Sequence, residues 1–196
     1  MPNERVIEIP WALMQLPQSG LILDVGSCET RYLDCIVQVD RFLHCLDMND
    51  CSSDIPTEAT FFRQNLIGNN LARHAYDAVL VLSTIEHVGL SHYGGTPMDN
   101  GDELALAEVY HLLKPSGRAI FTVPAGYSKV TSWYRQYSPQ DLQRLFAGWK
   151  TEITYWGYDD NQYVEIAEDT VETFDYRYAG SGGAGAVAGV VAFPDF

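Results

Sequence analysis

Basic residues are scarce in this chain, and the shortage narrows the range of its partners. Twelve Lys and Arg stand against 26 Asp and Glu in 196 residues, which gives a formal net charge of −14. An acidic surface repels a phosphate backbone, so nucleic acid is not expected as a substrate or partner.

Long hydrophobic runs and targeting signals are also missing. No apolar run approaches the roughly 20 residues that a membrane-spanning helix needs. Glu4 and Arg5, followed by a short mixed segment, do not match the layout of a secretory signal peptide. We therefore expect a cytoplasmic protein that does not enter a membrane.

Cysteines are few and show no metal-binding or disulfide pattern. The four of them, at positions 28, 35, 45 and 51, form no C-x-x-C pair and no zinc-type set with histidine. The sequence predicts four reduced thiols. His87, His92, Asp99 and Asp102 have suitable chemistry for a metal, but they are loop residues without fixed spacing, and no metal is predicted.

Short apolar bursts alternate with helical segments along one domain of 196 residues. Seven bursts predict strands, at residues 21–25, 42–46, 60–62, 78–82, 118–123, 151–156 and 186–193. The first five read as strands buried on both faces of a parallel sheet. The alternation with helices predicts an α/β, doubly wound architecture.

Helices are predicted at three places. Residues 9–16 favour a short helix over the sheet, within an N-terminal cover segment of residues 1–19. A second helix begins at Asn100 or Asp102, with Ala105, Val109, Leu112 and Leu113 facing inward. A third begins at the capping box Ser138-Pro-Gln-Asp141. Residues 89–101 are expected to form a lid or an ordinary surface loop, and residues 157–185 an insert between the last two strands.

Ligands of an open parallel sheet collect beyond the carboxyl ends of its strands. The first strand ends at Asp24-Val25-Gly26-Ser27-Cys28, where Gly26 permits a tight turn and a close approach to the backbone. The second strand ends at Asp47, at the distance along the chain expected of a carboxylate that binds a ribose diol. No G-x-G-x-x-G follows the first strand, which argues against a nicotinamide enzyme.

These motifs, in this order, resemble those of class I S-adenosylmethionine-dependent methyltransferases, small and of bacterial type. Residues 21–26 look like the first motif, residues 76–88 like the fourth-strand motif with its Glu-His-Val-Gly, and residues 112–124 like the turn into the fifth strand. The resemblance implies a Rossmann-like, seven-stranded, mostly parallel sheet with an antiparallel last strand, and S-adenosylmethionine as the donor. The residues it assigns to the donor are Asp24, Val25, Gly26, Ser27, Cys28, Asp47, Met48, Asn65, Leu66 and Ser83.

The reaction expected is methyl transfer to a small molecule, of sugar or natural-product type, on an oxygen. His87 is the candidate general base, although a histidine there can equally hold its loop by a hydrogen bond. Glu86 is the second candidate catalytic residue, although a glutamate there more often orients a loop or the donor than acts as a base. The residues expected near the acceptor, which can also be packing residues, are His92, Tyr93, Tyr127, Trp133 and Tyr134.

A non-catalytic binding or scaffolding protein with the same fold is the alternative. Cys28 and Thr30 support it, because the family usually carries glycines at those places. A monomer or a homodimer is compatible with the sequence.

Overall fold

A central sheet of eight strands organises the chain in a computed structural model, which describes residues 3–28, 30–37, 40–92, 97–176 and 183–195. Along the sheet, the strands follow in the order β3 (Thr60–Arg63), β2 (Arg41–Asp47), β1 (Gly20–Val25), β4 (Tyr76–Leu82), β5 (Leu113–Ala125), β10 (Ala186–Pro194), β8 (Trp149–Asp159) and β9 (Gln162–Glu165). The predicted architecture, an α/β Rossmann-like sheet that is mostly parallel with an antiparallel last strand, is confirmed. The predicted number of seven strands is wrong, because β9 adds an eighth.

Five parallel strands form the first part of the sheet: β1 (Gly20–Val25), β2 (Arg41–Asp47), β3 (Thr60–Arg63), β4 (Tyr76–Leu82) and β5 (Leu113–Ala125). The apolar centres of β1 and β4 are buried on both faces, as their unbroken hydrophobic runs predict. The strand order changes direction between β1 and β4, which opens a crevice at their carboxyl ends.

The last three strands of the sheet close its other side. Strand β10 (Ala186–Pro194) lies between β5 and β8 (Trp149–Asp159) and is antiparallel to both. Strand β9 (Gln162–Glu165) forms a hairpin with β8. The segment expected as an insert, residues 157–185, therefore begins inside β8 and contributes the additional edge strand. A period of two is hard to detect in a four-residue strand such as β9.

Helices cover both faces of the sheet. Helix α1 (Arg5–Met14) and α2 (Leu33–Ile36) pack on one face, and α3 (Gly101–Leu112) and α4 (Pro139–Leu145) pack on the other. The four residues predicted to face inward near α3 are fully buried. The chain between β3 and β4, described throughout, has no helix, so the alternation is less regular than the sequence predicts.

Short elements complete the fold. Turns of 3-10 helix span Ser52–Asp54, Ile85–His87 and Glu168–Thr173. A small separate sheet pairs β6 (Lys129–Val130) with β7 (Arg135–Gln136). The predicted capping box is present at α4, where the Ser138 hydroxyl accepts from the Asp141 N–H and the Asp141 carboxylate accepts from the Ser138 N–H. None of the helices in the described ranges is long and apolar enough to cross a membrane.

Candidate functional site

A cavity of about 1050 Å³ lies at the carboxyl ends of β1, β2, β3 and β4. Its volume is at the upper end of the range of small-molecule pockets, roughly 300–1,000 Å³. One part of its wall follows β1, β2 and β3, and the other follows β4 and includes residues from the N-terminus and from the segment after β5. The cavity therefore has room for a second molecule beside the one that the β1–β3 side would hold.

The turn after β1 brings backbone to the cavity wall. Gly26 has a φ of +80°, and a Cβ atom on it would lie 2.6 Å from Oγ1 of Thr84. Val25, Gly26 and Cys28 line the cavity. A glycine is required here for both the backbone conformation and the close approach of the turn after β4.

Asp24 and Ser27, also predicted to contact the donor, lie behind this turn. Asp24 is fully buried and accepts a hydrogen bond of 2.7 Å from the Tyr32 hydroxyl. Burial raises the pKa of Asp24 to about 6. The Ser27 hydroxyl donates to the Asp24 carbonyl oxygen. Neither residue is part of the cavity lining, and their hydrogen bonds connect the turn after β1 to Tyr32 and to the end of the strand.

Asp47 stands at the end of β2 and lines the cavity. Its Oδ2 accepts from the Cys28 N–H at 2.9 Å and its Oδ1 from the Asn49 N–H at 2.8 Å. An ionised carboxylate has about four acceptor positions, so two remain for a ligand. Met48 lines the cavity beside it.

Asn65, Leu66 and Ser83 also line the cavity. The Asn65 side-chain oxygen accepts from the Ile67 N–H at 3.0 Å, which leaves the amide NH₂ as the group that can donate to a ligand. Ser83 has a φ of +43°, and its hydroxyl donates to the buried Glu8 carboxylate. Backbone strain of this kind in a non-glycine residue concentrates at functional sites.

A disulfide joins Cys28 to Cys51, with 5.5 Å between the two Cα atoms. The prediction of four reduced thiols is therefore wrong for this pair, while Cys35 and Cys45 are free. The two bonded residues are 23 positions apart in sequence. They meet because the turns after the neighbouring strands β1 and β2 lie side by side, which a spacing pattern does not reveal.

Glu86, in the 3-10 turn after β4, is a buried carboxyl on the cavity wall. Its exposed fraction is 1%, and its Oε2 has no hydrogen-bond partner among the described residues. Burial raises the pKa of Glu86 well above its ordinary value, and the negative charge of Glu8 raises it further. Such a carboxyl group either carries a proton or can bind a hydrogen-bond donor or a cation from a ligand.

His87 lies next to it, with Nδ1 at 2.6 Å from the Trp133 carbonyl oxygen. A carbonyl only accepts, so Nδ1 carries a hydrogen, and the neutral ring has its lone pair on Nε2. Nε2 lies 3.7 Å from Oε1 of Glu86. Burial lowers the pKa of His87, which favours this neutral form. Both roles considered for His87 thus have support: the ring holds a loop, and its other nitrogen is basic.

Three aromatic rings form a wall near these two residues. Trp133, Tyr134 and Tyr176 line the cavity. The Trp133 and His87 rings stack with their centroids 6.0 Å apart, and the Tyr134 and Tyr176 centroids are 4.5 Å apart. Trp133 and Tyr134, which the sequence predicts near the acceptor, therefore line the cavity, and their contact with an acceptor stays a prediction.

The other residues predicted near the acceptor are placed differently. His92 packs on Trp133 at 5.8 Å and is not part of the cavity lining. Tyr127 is exposed, and its hydroxyl donates to Asp175. Tyr93 lies outside the described residues.

Charged residues of the N-terminal segment at the site were not predicted. Glu4 and Arg5 line the cavity, and Arg5 forms an ion pair of 2.8 Å with Glu8, which is fully buried. Burial opposes ionisation of Arg5, yet the carboxylates of Glu8 and Glu86 raise its pKa overall. The one sequence feature that could have predicted these buried charges is Glu8, an acidic residue between the apolar residues Ile7 and Ile9.

Arg135 holds the turn that carries Glu86 and His87. Its guanidinium donates to the Val88 carbonyl oxygen at 2.7 Å and forms an ion pair with Asp102. The Asp102 carboxylate also accepts from the Tyr137 hydroxyl at 3.0 Å. The Asp102 carboxylate thus interacts with both Arg135 and Tyr137 and helps to hold this turn.

No protein-family model and no curated protein matches the sequence. Solved structures do match its fold. One is 1,6-didemethyltoxoflavin-N1-methyltransferase from Burkholderia thailandensis, with bound 1,6-didemethyltoxoflavin and S-adenosylhomocysteine; the TM-score is 0.66 at 12% identity, over 96% of this chain and 79% of that one. Another is the N-methyltransferase NodS from Bradyrhizobium japonicum WM9 in complex with S-adenosylhomocysteine, with a TM-score of 0.64 at 10% identity, over 98% of this chain and 87% of that one.

A third match is a TehB-like SAM-dependent methyltransferase from Corynebacterium glutamicum. Its TM-score is 0.59 at 16% identity, over 96% of this chain and 87% of that one. At these identities the likeness establishes the fold. The chain has the fold of S-adenosylmethionine-dependent methyltransferases.

Proposed function

We propose that this chain, which has the fold of S-adenosylmethionine-dependent methyltransferases, is an enzyme that transfers a methyl group from S-adenosylmethionine to a small molecule. The observation that carries the proposal is the pairing of Gly26 and Asp47 at the carboxyl ends of β1 and β2, on the wall of one large cavity. The fold supports the proposal by analogy, and the site residues give it chemistry.

The residues on the β1–β3 side fit the donor. Gly26 presents only backbone to the cavity, in a turn that Thr84 approaches too closely for a Cβ, and Asp47 has acceptor positions for the two hydroxyls of a ribose. Asn65 offers an amide to a purine edge. Cys28, where the family usually has glycine, uses its backbone N–H to fix Asp47 and lies on the wall without filling the cavity. When bound, S-adenosylmethionine supplies an electrophilic methyl group on a sulfonium.

His87 is the proposed general base. Because Nδ1–H is bonded to the Trp133 carbonyl oxygen, a proton from the acceptor would go to Nε2. Burial keeps the ring neutral by lowering its pKa, so the basic form is present at neutral pH. Glu86, beside Nε2, would orient the acceptor or share its proton.

The acceptor would lie between the turn after β4 and the wall of Trp133, Tyr134 and Tyr176. An oxygen of a sugar or natural product is the acceptor expected from sequence. Two of the structural neighbours are named as N-methyltransferases, one of them bound to a flat heteroaromatic compound. An acceptor with an aromatic or sugar face suits the aromatic wall in either case.

Release of S-adenosylhomocysteine from S-adenosylmethionine, measured over a panel of hydroxyl and amine compounds, tests the proposal. Acceptor-dependent release that the Asp47→Ala variant loses would support an enzyme. Donor binding without release on any acceptor would favour the non-catalytic binding protein. The oligomeric state, a monomer or a homodimer, and the cytoplasmic location remain predictions.

A further inference from the structure

One carboxyl oxygen of Glu86 lacks a hydrogen-bond partner among the described residues. Its Oε2 is buried and has no hydrogen-bond partner in the described ranges, while the residue forms part of the cavity wall. A buried carboxyl with one oxygen unsatisfied is costly unless a ligand completes it. Because Glu86 is part of the cavity wall, a ligand in the cavity is one source of the hydrogen bond or charge that this oxygen lacks.

The charges around Glu86 are negative in sum. Arg5 is the one cation of the N-terminal segment on the cavity wall, and it is paired with Glu8 at 2.8 Å. Glu4 adds a further carboxyl to the same wall. His87 adds no positive charge, because its burial lowers its pKa. Arg31 is the second arginine of the lining, and these two cations face five lining acids, namely Glu4, Asp47, Asp50, Asp54 and Glu86.

Aromatic faces adjoin these carboxyls. Tyr176 lines the same cavity as Glu4 and Glu86, and burial and then the charges of these two acids raise its pKa. Tyr176 packs against Tyr134 and Trp133, with centroids 4.5 and 5.6 Å away. Aromatic rings beside a carboxylate attract a cation through their negative faces and also accept its carbon groups.

From this combination we propose that the acceptor is an amine, which enters as an ammonium ion, pairs with Glu86 and packs on Trp133 and Tyr176. The inference rests on the proposed function and selects a substrate class for the same site. Burial raises the pKa of Glu86 and so favours its neutral form when no ligand is bound, whereas an ammonium ion would stabilise the ionised form in an ion pair. An alcohol of the same shape would offer a hydrogen bond but no charge that stabilises the ionised form, and an anionic ligand would oppose ionisation.

The proposed methyl transfer conserves atoms, protons and electron pairs. Nε2 of His87 takes one proton from the ammonium, which restores a lone pair on the acceptor nitrogen. That pair forms the new N–C bond as the S–C bond breaks, and the electrons of the S–C bond stay on sulfur. The products are S-adenosylhomocysteine and an N-methylated ammonium ion, and the proton on His87 passes to water. Glu86 keeps its partner before and after transfer, because the nitrogen is cationic in both states.

Glu86 could instead serve a cationic group of the donor. The two assignments differ in what the Glu86→Gln variant loses. If Glu86 pairs with the sulfonium, the variant should bind S-adenosylmethionine more weakly and keep its affinity for S-adenosylhomocysteine. If it pairs with the ammonium that both molecules carry, both bind more weakly. If it pairs with the acceptor, both keep their affinity.

The test measures binding by calorimetry with the protein saturated in S-adenosylhomocysteine. The probes are matched primary amines and alcohols on the same aryl-alkyl skeletons, beginning with 2-phenylethylamine and 2-phenylethanol. We expect at least one amine to bind tenfold or more tightly than its alcohol. Glu86→Gln should abolish that preference while changing the affinity for S-adenosylhomocysteine less than twofold. Glu58→Gln, which removes the same charge at an exposed site outside the cavity, should preserve both.

Trp133→Leu provides a second variant in case Glu86→Gln does not fold. It keeps the backbone carbonyl that holds His87 and removes the ring, so amine affinity should fall by about threefold to tenfold. An equal or greater affinity for the alcohols overturns the proposal, as does a panel in which no amine is preferred. A loss of donor binding in Glu86→Gln also overturns it. If wild-type protein fails to bind S-adenosylhomocysteine, the proposed function itself has failed, which is a separate result.

Discussion

The backbone N–H of Cys28 donates a hydrogen bond of 2.9 Å to Oδ2 of Asp47. This bond connects the turn after β1 with the end of β2, the two places where the sequence predicts contacts to the donor. The carboxylate is thereby held at the cavity wall with one position on each oxygen already used. A ligand with a diol meets a group that is already oriented, which lowers the entropic cost of binding.

Replacing Asp47 with Ala should remove the acceptor for the ribose hydroxyls. Hydrogen bonds to a charged group contribute about 1.5–3 kcal/mol, so affinity for S-adenosylhomocysteine should fall roughly 10- to 150-fold. Calorimetric titration measures the change. Asp34→Ala, at an exposed position on α2, is the matched control and should bind as the wild type does. Unchanged affinity in Asp47→Ala would remove the residue from the donor site.

Gly26→Ala should destabilise the protein and impair donor binding together. The substitution meets a φ of +80° and also places a Cβ 2.6 Å from Oγ1 of Thr84. Gly148→Ala isolates the first effect, since its φ is +87° and no atom lies within 4 Å of its Cβ position. The left-handed conformation alone costs about 1–2 kcal/mol. Denaturant unfolding should show a larger loss at Gly26 than at Gly148, and equal losses would contradict the close contact with Thr84.

Replacing His87 with Ala should slow methyl transfer by about 10²- to 10⁴-fold, which is the usual contribution of a general base. Donor affinity should stay within a factor of about two, because His87 follows β4, whereas most of the residues proposed for the donor follow β1, β2 and β3. Turnover equal to that of the wild type would remove His87 as the base and leave it with the structural role alone.

The dependence of kcat on pH in the wild type is a second test of His87 as the base. Its basic form is the neutral ring, and burial sets its pKa below 6.5, with the charges of Arg5, Arg135 and His92 acting in the same direction. The kcat should therefore rise as pH increases through a value under 6.5 and then level off. With a hydroxyl acceptor, a profile that still rises above pH 7 would point to another base, whereas an ammonium acceptor adds a rise from its own deprotonation. In His87→Ala this limb should disappear.

The site was predictable from sequence where chemistry follows directly from strand ends. Asp47 and Gly26 end or follow buried apolar bursts, and a parallel sheet brings such ends to one edge. Glu86 and His87 were found in the same way after β4. The fold class followed from the same alternation, and the capping box at Ser138 from local turn chemistry.

What the sequence did not reveal depends on contacts between distant segments. Glu4 and Arg5 reach the cavity because α1 crosses the sheet, and nothing in their spacing indicates that. Strand β9 is too short for a clear period, and a pair of cysteines 23 residues apart gives no measure of their distance in space. Tyr127 and Trp133 looked equivalent in sequence, but the first is bonded to Asp175 at the surface and the second faces the cavity.

The Cys28–Cys51 disulfide should stabilise both the fold and the donor side of the site. A crosslink over 23 residues is worth about 2–4 kcal/mol, so Cys51→Ser should lower the free energy of unfolding by that amount. Cys51→Ser should also lower the affinity for S-adenosylhomocysteine, because the Cys28 N–H that holds Asp47 becomes less constrained. Cys35→Ser, at a free exposed cysteine, is the control.

Reduction of the wild type with a thiol should reproduce the effects of Cys51→Ser, and no difference between oxidised and reduced protein would contradict the crosslink. Disulfides are rare in the cytosol. Thiol labelling of protein taken directly from cells therefore tests the predicted cytoplasmic location as well.

Calorimetric titration of the purified protein with S-adenosylmethionine, S-adenosylhomocysteine and, as a control, NAD tests whether the cavity binds the methyl donor. We expect saturable binding of the first two at one site per chain, and no binding of NAD, because no phosphate cradle follows β1. Failure of both sulfur compounds to bind would contradict it, and would indicate that the fold serves a different role.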